Sequence, residues 1–82
     1  MWYHGTMSRE TAEFMIFVVE QVAHRFFAGD QSAAYLAMKE SGLWAFFSKT
    51  YDSSHTLSVE YLLEDAENWF NRHGIDHAPV SR

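Results

Sequence analysis

The segment from Ser58 to His73 places Val59, Leu62, Leu63, Ala66, Trp69 and Phe70 on one side of a helix and Glu60, Glu64 and Glu67 on the other. This i, i+3, i+4, i+7 spacing fits a turn of about 3.6 residues, whereas a strand would scatter the same residues over both faces. An isolated helix of this length is marginal in water and holds only if its apolar stripe is buried. The rest of the chain must therefore supply a matching apolar surface, which points the whole sequence toward helices packed on helices.

Length and composition agree with that demand. At 82 residues the chain has room for one domain with one small core. Hydrophobic residues make up 48% of it and aromatic residues 17%, enough to offset the ordering entropy by burial. There is no cysteine, so neither a disulfide framework nor a cysteine-based zinc site contributes. Packing alone has to hold the fold, within the chain or shared with a partner.

Three further helices follow from local signals. Ser8 is an N-cap for a helix over about 9–27, with Glu10 and Glu13 near its positive end. Ala12, Met15, Val18, Val19, Val22 and Phe26 share its inner face. Gly29 supplies the stop and Asp30 caps a second helix, about 31–41, whose Ala33, Ala34, Ala37 and Met38 allow close approach of a neighbour. Gly42 turns the chain into a third helix, about 43–51, with Leu43, Trp44, Phe47 and Tyr51 on one face. Asp52 to Leu57 reads as a turn leading to the fourth helix, about 58–73, which Gly74 ends. The expectation is a single all-α domain over 1–82, a bundle of four helices with an N-terminal arm (1–7) and a loose tail (75–82).

Charge narrows the function classes. Eleven acids against six bases give a net charge of −5, and the bases are scattered. Nucleic acid and anionic membrane surfaces need a basic patch, so neither is an expected partner. No apolar stretch approaches the roughly 20 residues of a transmembrane helix, and the N-terminus lacks the basic-then-apolar order of a signal peptide. A cytoplasmic protein without a cofactor is expected.

The candidate chemistry sits at the corner before the last helix. Tyr51, Asp52, His55 and Thr56, with Ser53 and Ser54 between them, bring an acid, hydroxyls and an imidazole into one short run. A catalytic triad is defined by three-dimensional roles and an oxyanion hole, and neighbours in one turn rarely present that geometry. Capping is the stronger reading: His55 and Thr56 would satisfy backbone groups at the start of the fourth helix while Asp52 steadies the turn. Asp65, at the edge of the apolar stripe, could bond back to this corner as a latch. Glu20 and His24 could share a divalent ion across one helical turn, but two ligands make a poor site, and no metal centre is expected.

Two surfaces suggest interaction. Glu60, Glu64 and Glu67 form an acidic stripe that could meet a basic partner. Phe14 and Phe17 project from the outer side of the first helix, Phe17 among Glu13, Glu20, Gln21 and His24, and with Trp2 and Tyr3 they could form an apolar patch.

The run Leu36-Ala37-Met38-Lys39-Glu40-Ser41-Gly42-Leu43-Trp44-Ala45-Phe46-Phe47, then Tyr51-Asp52, His55-Thr56 and Glu60-Tyr61 with Asp65, resembles a family of small helical bacterial proteins of unknown function. The resemblance spans roughly Ser8 to Gly74. It implies one short helical domain and, because some members are similar to proteins encoded beside ADP-ribosyltransferase-type toxins, a role as partner of another protein. It assigns no activity to any residue. Ser53-Ser54 stands where the family tends to place an apolar residue, and Met1 to Thr6 precedes its usual start near Met7.

Taken together, the residues describe a small acidic interaction module, an accessory or antitoxin-like partner of another protein or a homo-oligomer, rather than an enzyme. The alternative is a small-ligand binder or enzyme built on Asp52, His55 and Thr56 with Asp65.

Overall fold

A computed structural model describes residues 8–77, and the arm and tail expectations, including the contribution of Trp2 and Tyr3, lie largely outside that range. Among the described residues the chain forms α1 (Arg9–Phe26), α2 (Gln31–Ser41), α3 (Leu43–Lys49), α4 (Tyr51–Ser54) and α5 (Val59–Arg72), with no strand. The expected all-α bundle is what the protein adopts, with one extra short helix.

The caps are the ones the sequence signals. Ser8 Oγ accepts from the Thr11 N–H at 3.1 Å, and Asp30 Oδ1 accepts from the Ala33 N–H at 3.1 Å. Each satisfies a donor that the first helical turn leaves without an internal partner. Gly42 closes α2 with φ +86°, a left-handed conformation that costs glycine little, and this lets α3 begin at the next residue. At the end of α1 the left-handed turn begins one residue earlier than Gly29: Ala28 has φ +54° and Gly29 φ +87°. The Gly29 N–H then returns to the Ala23 carbonyl at 2.8 Å.

The core joins four helices. Met15, Val22 and Phe26 of α1, Ala34 and Met38 of α2, Leu43 and Phe47 of α3, and Ala66 and Phe70 of α5 are all buried. Alanines at 34, 37 and 66 bring backbones close, and large rings fill the space that remains. Phe70 meets Phe26 and Phe27 edge to face, each at 5.9 Å between centroids. Such a pair adds roughly 0.5–1.5 kcal/mol to plain area burial. The stripe on α5 is therefore covered as its spacing demands, chiefly by α1 and α2.

A second interaction fixes α5 against the α2–α3 corner. The Trp69 indole Nε1–H donates to the Ser41 carbonyl, and the same ring lies against Gly42 and tilts over Phe46 at 4.7 Å between centroids. Ser41 is buried, so its carbonyl would otherwise lose water without replacement.

The third helix ends two residues before the expected Tyr51. Thr50 leaves helical geometry (φ −104°, ψ 22°), and its hydroxyl bonds to the Phe46 carbonyl at 2.8 Å. Its own carbonyl then accepts from the Ser53 and Ser54 N–H groups at 3.0 and 2.7 Å, starting α4. Hydroxyls that bond to nearby backbone compete with the helical ladder, and this threonine uses both options at once.

Candidate functional site

The corner between α3 and α5 is built from its own side chains. The Tyr51 and His55 rings stack, 4.3 Å between centroids and 13° apart, and Phe14 of α1 meets Tyr51 edge to face at 5.5 Å. His55 Nδ1 lies 2.6 Å from the Tyr51 carbonyl. Because a carbonyl can only accept, Nδ1 carries the proton. The Thr56 hydroxyl donates to the Ser53 carbonyl at 2.9 Å, and the Ser53 hydroxyl donates to the Thr50 carbonyl at 3.2 Å. Ser54 is buried, its hydroxyl 2.8 Å from that of Thr50.

These bonds close the end of α4 rather than open α5. The sequence placed His55 and Thr56 at the start of the last helix, but the groups they satisfy are carbonyls of residues 51 and 53. The start of α5 is capped instead by Ser58, whose Oγ accepts from the Tyr61 N–H at 3.4 Å. Asp52 is exposed, Asp65 is half-buried, and no hydrogen bond or ion pair joins Asp65 to the corner, so the expected latch does not form. The hydroxyls of Ser53, Ser54 and Thr56 are bonded to residues of the 50–54 segment, and none is bonded to the imidazole. The corner thus brings together Tyr51, His55 and Thr56 as local structure and leaves Asp52 and Asp65 outside it.

The proposed interaction residues also separate. Phe14 is half-buried against Phe47 and Tyr51, so it belongs to the core's edge. Phe17 is 38% exposed, as its position on the helix wheel requires. Of the acidic stripe, Glu60 pairs with Arg25 of α1 at 3.3 Å, Glu64 is exposed and Glu67 is half-buried. No group of three or more His, Cys, Asp or Glu among the described residues is arranged to hold a metal.

The features that the residue-by-residue reading missed lie along α2. Its outer edge carries Tyr35 and Leu36, 40% and 56% exposed, and a groove runs on either side of them. One groove, of about 340 Å³, is lined by Ile16, Val19, Gln31, Ser32, Tyr35 and Trp44. The other, of about 380 Å³, lies between α2 and the chain after α5, lined by Phe27, Ala33, Leu36, Ala37, Glu40, Gly74, Ile75 and Asp76. The signal was present: with Ala33, Ala34, Ala37 and Met38 on the inner side of α2, Tyr35 and Leu36 are left for its outer side, where Tyr35 meets Trp44 edge to face at 5.0 Å. Ile75 falls in the segment expected to form a loose tail, yet it packs against the core, with its N–H donating to the Phe70 carbonyl at 2.9 Å.

No curated protein and no solved structure matches this chain. A family described as proteins of unknown function, DUF3791, matches residues 13–72. That stretch contains all of α2 to α5 and most of α1, the full set of core-forming helices. The chain belongs to the DUF3791 family.

Proposed function

We propose that this protein is a small acidic interaction module, an accessory partner of another protein, and that the outer edge of α2 is part of its contact surface. The observation that carries this reading is the pair of open, mainly apolar grooves flanking Tyr35 and Leu36. Scattered apolar side chains on a surface need no explanation. Here, however, two large ones share the ridge between two concave strips, an arrangement suited to a partner's side chains.

The acidic stripe of α5 and Phe17 of α1 supply further surface for such a partner, although Glu60 already pairs with Arg25. An antitoxin-like role in a bacterial cytoplasm rests on the family resemblance and would make the partner an ADP-ribosyltransferase-type enzyme. Against the ligand-binding alternative, the Tyr51–Thr56 corner spends its imidazole Nδ1 and the Ser53, Ser54 and Thr56 hydroxyls on neighbouring backbone and side chains.

Affinity purification of the tagged protein from its native host tests the reading. The expected result is one partner in stoichiometric amount, lost on Leu36→Glu while the variant keeps its helical circular dichroism. A monodisperse monomer that recovers no stoichiometric partner would contradict it.

A further inference from the structure

We propose that the groove between α2 and the segment after α5 receives a cationic, amphipathic segment of a partner protein, one with Lys or Arg beside an aliphatic residue. This rests on the interaction reading and specifies the partner's chemistry. The groove is lined by apolar side chains, including Phe27, Ala37 and Ile75 with Leu36 on its rim, and by two carboxylates, Glu40 and Asp76. None of the described lining residues is basic.

The cations closest in sequence face other groups. The Lys39 ammonium lies over the Tyr35 ring at 6.0 Å, the Arg72 guanidinium lies over Trp69 at 5.2 Å, and Arg25 pairs with Glu60 at 3.3 Å. An aliphatic side chain entering the groove displaces water from apolar surface. Its flanking residues then meet Glu40 and Asp76, where a second carboxylate would be repelled and an ammonium or guanidinium attracted. A second copy of this chain is a poor occupant, because each copy carries a net charge of −5. The groove on the other side of α2, lined by Gln31 and Ser32 and with no charged residue among its described lining residues, gives no comparable sign to its occupant.

The test uses the full chain, isotopically labelled, and two fluorescein-labelled helix-forming peptides of leucine, alanine and either arginine or glutamate, identical in apolar pattern. Fluorescence anisotropy should show binding of the arginine peptide only, weakening as salt is raised, with amide shifts centred on Leu36, Glu40 and Ile75. Charge reversal by Glu40→Lys with Asp76→Lys should weaken the arginine peptide by roughly tenfold, since two attractions become two repulsions. The double variant should also gain affinity for the glutamate peptide. Glu10→Lys, which makes a charge change far along α1, should leave both affinities unchanged.

Equal binding of the two peptides, shifts centred elsewhere, or no binding of either would overturn the proposal. Val80 and Arg82, outside the described residues, carry the same chemistry as the proposed occupant. A tenfold tightening on Arg82→Ala would assign the groove to the chain's own terminus and overturn the proposal as well, and unchanged binding is expected. A stoichiometric host partner whose capture survives the Glu40 and Asp76 reversals would sink this inference while leaving the interaction reading intact.

Discussion

The Trp69 indole N–H donates to the Ser41 carbonyl, so the last turn of the last helix is tied to the residue that ends α2. The ring also covers Gly42 and leans on Phe46, and one side chain therefore sets the angle between α5 and the α2–α3 corner. Trp69→Phe keeps most of the apolar area but leaves a buried carbonyl without its donor. The expected cost is about 2 kcal/mol, a fall in Tm of roughly 10 °C for a domain of this size. Thermal unfolding followed by far-UV circular dichroism measures it, and an unchanged Tm would show that the bond does not hold the corner.

Ala28 stands in a conformation that suits glycine, with φ +54°. Its side chain is exposed, so a replacement loses no core packing. Ala28→Gly relieves a left-handed strain of about 1–2 kcal/mol and adds unfolded-chain entropy worth about 0.4–1 kcal/mol. The net expectation is stabilisation by about 0.5 kcal/mol. Urea denaturation should move to a higher midpoint with an unchanged slope; a lower midpoint would contradict the strain.

Phe47 is fully buried and meets both Phe14 and Phe46. Phe47→Ala should cost about 3–5 kcal/mol, close to the whole stability of a small domain. The expected outcome is loss of cooperative thermal unfolding at room temperature, read by circular dichroism and by loss of amide dispersion in NMR. A cooperative transition within a few degrees of the parent would mean that the core does not depend on this ring.

The corner and Asp65 should behave differently under substitution. His55→Ala removes the bond to the Tyr51 carbonyl and the stacked ring, for an expected cost of about 0.5–1.5 kcal/mol. Asp65→Asn breaks no hydrogen bond or ion pair among the described residues and should stay within about 0.5 kcal/mol of the parent. Chemical denaturation of the two variants compares them directly. A larger loss at Asp65 would restore the latch that the structure lacks.

Much of the fold was legible because its signals are local. Ser8, Asp30 and Gly42 act within one helical turn, and the α5 stripe declares its buried side by spacing alone. Thr50 was not legible, because nothing in Leu43 to Tyr51 says that its hydroxyl and carbonyl will both serve neighbouring turns and split the helix. The corner's residues were found but their roles reversed: composition marks His55 and Thr56 as capping residues without saying which end of which helix they cap. Long-range relationships were hidden for a different reason. Trp69 meets Ser41 across 28 residues of chain, and Ile75 joins Leu36 in one groove only after the helices have packed.

If the α2 edge is a contact surface, site-specific photo-crosslinking in the native host captures the partner there. A photoreactive amino acid in place of Leu36 should yield one discrete higher-mass adduct, with none from the same group in place of Glu10. Absence of an adduct from position 36 in a folded, expressed protein, or an equal ladder of adducts from both positions, would show that the α2 edge is not a contact surface.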